Sequence, residues 1–91
     1  MRFEWDEHKR ATNLEKHAVD FVFACELWNL PMLIIEDQRH NYGEKRWVGV
    51  GLHCERVMVV IFTMPHPDIV RIISFRKANQ REVRYYEKSV P

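Results

Sequence analysis

The spacing of apolar residues divides the chain into a helical first third and a strand-rich remainder. Phe3, Glu4 and Trp5 alternate as a short opening strand would. Asp6 then stands where its carboxylate can accept from the orphan N–H groups of a first helix, predicted to run to about His17. Only Ala11 and Leu14 are clearly apolar in that helix, which is charged almost all round and is expected on the outside of the domain. Asp20 is a second N-cap, with Val19 set to staple the turn against Ala24. Phe21, Ala24, Cys25 and Trp28 follow at i, i+3, i+4 and i+7, the stripe of a short helix with one buried face.

Pro31 ends that helix, and the period changes beyond it. Met32 to Ile35 reads as a strand, and Asp37 to Glu44 as a polar connection turned by Gly43. Trp47 to Leu52 and Val57 to Thr63 are strands joined by a turn at His53 to Glu55. Met64 to Asp68 reads as a second turn, because neither Pro65 nor Pro67 can donate to a sheet. Ile69 to Phe75 is the last strand. Val57 to Phe62 is apolar without interruption and is expected at the sheet centre, covered on both faces. Asn79 with Glu82 three positions on is a capping box that opens a final helix through about Glu87, pinned by Val83 and Tyr86. The predicted fold is a single α+β domain over residues 1–91. It has an antiparallel sheet of about four strands, two N-terminal helices and one C-terminal helix, with the helices grouped to one side.

Composition fits that reading: 46% hydrophobic and 30% charged residues are the proportions of a folded domain rather than a disordered tail. No apolar run is long enough to span a bilayer, and MRFEWDEHKR is too polar and acidic for a signal peptide, so a cytoplasmic location is expected. Cys25 and Cys54 lack metal or redox spacing and are read as free thiols. A net charge of +1 argues against adhesion to nucleic acid by the whole surface. The charge is uneven, however. Residues 69–91 carry six basic side chains (Arg71, Arg76, Lys77, Arg81, Arg84 and Lys88) against Glu82 and Glu87. A solvated helix face explains part of this, and a phosphate-binding surface is the alternative.

Two places stand out chemically. Strand alternation points Arg71 the same way as Ile69, Ile73 and Phe75, so it needs either an anion or a carboxylate such as Glu36 or Asp37. Arg76 and Lys77 stand where this strand hands over to the last helix, a plausible phosphate seat beside free backbone N–H groups. The second place is the 37–46 segment. It offers a general base in Glu44 or His40, cations in Arg39 and Arg46, and a stacking ring in Tyr42. Turn-shaping by Tyr42 and Gly43, or a cross-strand pair of Glu44 with Arg46, is the plainer account.

The five histidines form no metal-ligating pattern, serine has no nucleophile elbow, and no glycine-rich phosphate loop is present. Neither a metal nor another cofactor is expected. Cations with one or two titratable groups suit attack by an RNA 2′-hydroxyl on its neighbouring phosphate, since the substrate then supplies the nucleophile.

Three stretches, FEWDEHKRATNLEKHAVDF, EDQRHNYGEKRWVGVG and RIISFRKANQREVRYYE, resemble in order and spacing the BrnT toxins of bacterial type II toxin–antitoxin systems. The likeness runs from Phe3 to Glu87. It departs at Ala18, where the family usually has glycine, and at His53-Cys54, a hairpin the family often turns with glycine. The resemblance implies a ribonuclease that inhibits translation and growth, with a fold similar to RelE-type toxins. It also implies a BrnA-type antitoxin whose ribbon-helix-helix part binds operator DNA, so that DNA is met only through the complex. By motif position His17 joins Glu44 as a candidate base. Arg71, Arg76 and Lys77 would serve catalysis at the phosphate, and Arg39, Tyr42, Arg46 and Arg81 would hold RNA. Glu44 stands ahead of His17 here because it lies in sequence beside Arg39 and Arg46. A non-catalytic antitoxin-binding or RNA-binding domain of the same fold is the competing reading.

Overall fold

Val57 to Phe62 lie at the centre of the sheet, as their apolar run requires. The computed structural model describes residues 1–39, 41 and 43–90. Its elements are β1 (Arg2–Trp5), α1 (Glu7–His17), α2 (Phe21–Ala24) continued by a 3₁₀ turn (Cys25–Asn29), β2 (Leu33–Asp37), β3 (Arg46–His53), β4 (Arg56–His66), β5 (Ile69–Lys77) and α3 (Gln80–Ser89). The strands form one five-stranded sheet in the order β1-β5-β4-β3-β2. Strands β2 to β5 are the expected antiparallel meander. The opening strand adds a fifth member, parallel to β5, with Phe3 opposite Val70 and Trp5 opposite Ile72. The sheet is therefore mixed, because β1 finds its partner across the whole domain rather than through a local turn.

β4 is apolar on both faces, and each face is covered by different helices. On one side Met58, Val60, Phe62, Val70, Ile72 and Phe75 bury against Phe21, Ala24 and Leu27. Each large side chain so buried contributes roughly 1.5–3 kcal/mol. Trp28 meets both Phe3 and Phe62 edge-on, each at 5.1 Å between ring centres. Gly51 lets the 3₁₀ turn and the lead into β2 lie close, since a Cβ there would stand 3.4 Å from the Leu27 side chain and 3.0 Å from that of Met32. On the other side Val50 and Val59 bury against Tyr86 of α3, whose hydroxyl donates to the Pro31 carbonyl at 3.4 Å. Three helices on one side would have left Val57, Val59 and Ile61 in water, so the expected one-sided grouping gives way to two faces.

Three local expectations are corrected. β4 runs through Pro65 to His66, and the register shift between Thr63 and His66 accommodates the proline, which needs no ladder donor at a bulge. The turn to β5 shrinks to Pro67 and Asp68. A second register shift pairs Ile61 with Ser74 but Phe62 with Ile72, leaving Ile73 as an extra residue. This bulge reverses the alternation, so Arg71 and Phe75 lie on opposite faces, and Phe75 belongs to the core. Arg71 pairs with Glu4 at 2.6 Å on the neighbouring β1, not with Glu36 or Asp37. No helix among the described residues is long and apolar enough to cross a membrane.

Candidate active site

α1 ends beside the sheet because Asn13 docks it there. Asp6 caps the helix by accepting from the Lys9 N–H at 3.1 Å. Arg10 grips Asp20 through two nitrogens at 3.0 and 2.9 Å, tying the helix to the start of α2. β1 pairs with β5 no further than Ile72, so beyond that point this edge of β5 has no strand beside it. The Asn13 carboxamide fills the gap, donating to the Phe75 carbonyl at 2.8 Å and accepting from the Phe75 N–H at 3.1 Å. It also donates to the Val19 carbonyl at 3.2 Å. His17 lies one helical turn after Asn13, on the same face.

Docked in this way, His17 feels the positive charge of Arg76 on β5. Burial, and then the positive charges of Lys16 and Arg76, hold the imidazole below its ordinary value of 6.5. At pH 7 it is therefore neutral, with a lone pair available. The Arg76 guanidinium binds the Glu82 carboxylate through both terminal nitrogens at 2.8 and 2.9 Å, and also donates to the Lys77 carbonyl at 3.2 Å. Glu82 is simultaneously the reciprocal half of the capping box that opens α3, with Asn79 N–H donating to it at 2.9 Å. The bond from Arg76 pulls the Glu82 carboxyl below its ordinary value, and that carboxylate in turn holds Arg76 charged. A groove of about 290 Å³ opens from His17 along α1, lined by His8, Lys9, Lys16, Ile73 and Ser74 among others.

A second polar group crosses the far end of the same sheet face. Glu4 pairs with Arg71, Arg71 stands opposite Thr63, and Arg46 stands opposite Asp37. Asp37 is buried and accepts from Arg39 three times, from N–H at 3.2 Å and from Nε and Nη2 at 2.9 Å. Arg39 links the two groups, because its positive charge is felt at Arg76. Glu44 is exposed on the 38–45 connection, two residues before Arg46, and so belongs with this far group rather than with Arg76. The hollow it lines, about 560 Å³, carries Glu36, Asp37 and Glu44 in its wall and is less suited to phosphate than the basic groove along α1.

Lys77 pairs across with Met58 of the core and so faces away from Arg76, on the opposite side of the sheet. Arg81 is exposed in the first turn of α3, beside Glu82. Tyr42 and His40 lie outside the described residues. Among the described residues no three His, Cys, Asp or Glu side chains come together so as to hold a metal ion. The structure thus brings His17 and Arg76 within electrostatic reach of each other, sets Arg39 with Asp37, Arg46, Arg71 and Glu44 toward the other end of the face, and separates Lys77.

The family profile described as "Ribonuclease toxin, BrnT, of type II toxin-antitoxin system" matches residues 5–82. The chain belongs to the BrnT family. It is a ribonuclease toxin by that membership, of the kind that works with an antitoxin partner and on RNA. Its fold is similar to that of the Brucella abortus ribonuclease toxin BrnT. The TM-score is 0.72 at 28% identity, over 88% of this chain and 99% of that one. No curated protein matches the chain.

Two features of this chain escaped the sequence reading. Asn13 looked like one more polar residue on an outer helix, and its only signal is its i, i+4 spacing to His17. Glu82 was legible as a cap but not as the partner of Arg76, since the capping pattern is local and the pairing is not.

Proposed function

We propose that this chain cleaves RNA without a metal, by attack of the RNA's own 2′-hydroxyl on the adjacent phosphate, with His17 as general base. The observation that carries this reading is the docking of α1 by Asn13 at the edge of β5, which brings His17 within reach of the Arg76 charge at a groove lined by Lys9 and Lys16. The base takes the 2′-hydroxyl proton as the oxygen closes on phosphorus. Arg76, oriented by Glu82, and Arg39, oriented by Asp37, neutralise the charge that grows on the phosphate oxygens. Lys9 and Lys16 along the groove would lead the RNA backbone in. Arg46, Arg71 and Arg81 are assigned to RNA contacts further out. Glu44, exposed at the far end of the face, is a less suitable base than His17, which reverses the order suggested by sequence position alone.

The partner in this reading is a BrnA-type antitoxin, and operator DNA is bound through the complex. The antitoxin neutralises most simply by covering the groove that opens from His17 along α1. The fold is taken to be of the RelE kind, and the work cytoplasmic. The decisive experiment is cleavage of an RNA oligonucleotide in excess chelator with analysis of the new ends. Persistence of activity with 2′,3′-cyclic phosphate or 3′-phosphate ends is expected. Loss of activity in chelator, restored by Mg²⁺, overturns the mechanism.

A further inference from the structure

The hairpin between β3 and β4 turns on Cys54 and Glu55, both with positive φ, 50° and 66°. Two left-handed residues in succession match the right-handed twist of the strands they join, and glycine or asparagine would normally fill such a turn. A cysteine at this position therefore has no conformational reason to be there. It also does not stand alone. The Cys54 Sγ lies 3.5 Å from the Nε2 of His53, and the Nδ1 of His53 lies 3.2 Å from a carboxylate oxygen of Glu26 on the 3₁₀ turn. The Phe23 ring packs over the imidazole at 5.2 Å and fixes its plane. A nucleophile, a base within reach of it and a carboxylate behind the base form the arrangement that activates a thiol. The thiol opens on a hollow of about 190 Å³ whose wall also carries Arg56 and Lys77. Those two cations favour an incoming group that bears carboxylates.

We propose that Cys54 is a modification site that takes up the thiol half of a small anionic disulfide, of the glutathione type. The thiol proton passes to His53 Nε2, where Glu26 stabilises the imidazolium. The thiolate attacks one sulfur of the disulfide, and the new S–S bond forms as the old one breaks. The second thiol leaves as thiolate and takes the proton back from His53, so no further oxidant or reductant is needed. His53 shares a hollow with Leu14, Ala18 and Val19, so the site lies near the end of α1, but its thiol chemistry uses neither His17 nor Arg76. Cys25 is the internal control. Its thiol is half-buried, and burial pushes its pKa up.

Glutathione disulfide is the probe, at neutral pH, with the native chain followed by intact mass and peptide mapping. One glutathionyl group on Cys54 and none on Cys25 is expected. The rate should fall by roughly 10²-fold in His53→Gln, which removes the base that takes the thiol proton. Glu26→Gln, on an exposed side chain that the core does not need, should slow it in the same direction. Lys77→Gln should slow glutathione disulfide more than the neutral disulfide of 2-mercaptoethanol. Labelling of Cys25 first, or a Cys54 rate unmoved by both His53→Gln and Glu26→Gln, overturns the proposal.

Discussion

The carboxamide of Asn13 completes the hydrogen bonding of Phe75, taking its N–H and meeting its carbonyl at the point where β1 no longer reaches along β5. A side chain on a helix thus stands in for a missing strand, and the helix it belongs to is fixed against the sheet edge. Replacing Asn13 by Ala leaves two buried backbone groups without partners. A loss of about 2–3 kcal/mol in urea unfolding is expected. Ribonuclease activity should fall further than that loss of stability explains when measured well below the unfolding transition, because His17 no longer has a fixed place. Activity equal to the parent's in the folded variant would show that His17 does not need this anchor.

The pH dependence of cleavage should report His17 and Arg76 together. The base works unprotonated, so the acid limb of kcat/KM should lie below the ordinary histidine value of 6.5. Removing a neighbouring cation relieves that depression. Arg76→Gln should therefore move the acid limb to higher pH while cutting the rate by roughly 10²-fold. His17→Ala should lose the limb altogether. The folded state holds this histidine less protonated than the unfolded state does, so its linkage contribution lowers stability as pH falls below about 6.5. An acid limb that stays in place in Arg76→Gln would separate the two residues.

Arg76 and Lys77 are adjacent in sequence and opposed in space, which gives a sharp contrast. Lys77→Gln should leave RNA cleavage close to unchanged, because its side chain faces the hairpin side of the sheet beside Met58. Equal losses in Lys77→Gln and Arg76→Gln would mean that RNA passes around the sheet end and meets both faces.

Glu82 couples the last helix to the cleft. Its carboxyl is held low first by the bond from Arg76 and then, against the cost of burial, by the Asn79 N–H and the Arg76 charge. A depressed carboxyl stabilises the fold above its unfolded value, and this is lost as pH falls through the folded one. Glu82→Gln should thus cost about 1 kcal/mol at neutral pH, with the difference shrinking below about pH 4. A constant difference across that range would assign the loss to the cap alone.

What the sequence disclosed follows the range of each interaction. The caps at Asp6, Asp20 and Asn79–Glu82 were legible because the side chain and the N–H groups it meets lie within a few residues. The central place of Val57 to Phe62 was legible because a strand buried on both faces has no polar alternation. The parallel pairing of β1 with β5 was not, and neither was the bond from Asn13 to a residue 62 positions away, since no local pattern encodes either. The misplacement of Arg71 has a different cause. Counting by twos fails at a bulge, and the extra Ile73 looks like any other strand residue. At the site, the residue types were visible early, but ranking Glu44 above His17 came from sequence proximity to Arg39 and Arg46. In the fold Glu44 stays with Arg46, while the docking of α1 that brings His17 to the edge of β5 had no local signal.

Ala18 is the residue at which a single change should strengthen the protein. It ends α1 in the left-handed region, at φ 60° and ψ 24°, with its N–H donating to the Leu14 carbonyl at 2.9 Å. A Cβ in that conformation crowds the following carbonyl at a cost on the order of 1 kcal/mol, which glycine escapes. Glycine also loses more freedom on folding, so the net gain for Ala18→Gly should be about 0.5–1 kcal/mol, a rise of a few degrees in Tm for a domain of this size. Ala18→Val should move the other way, because a β-branched side chain tolerates positive φ least. Cleavage by Ala18→Gly should match the parent at moderate temperature, since His17 precedes the cap and Asn13 still holds the helix. A Tm that falls on replacement by glycine would mean that the alanine methyl makes a stabilising contact that outweighs its backbone strain.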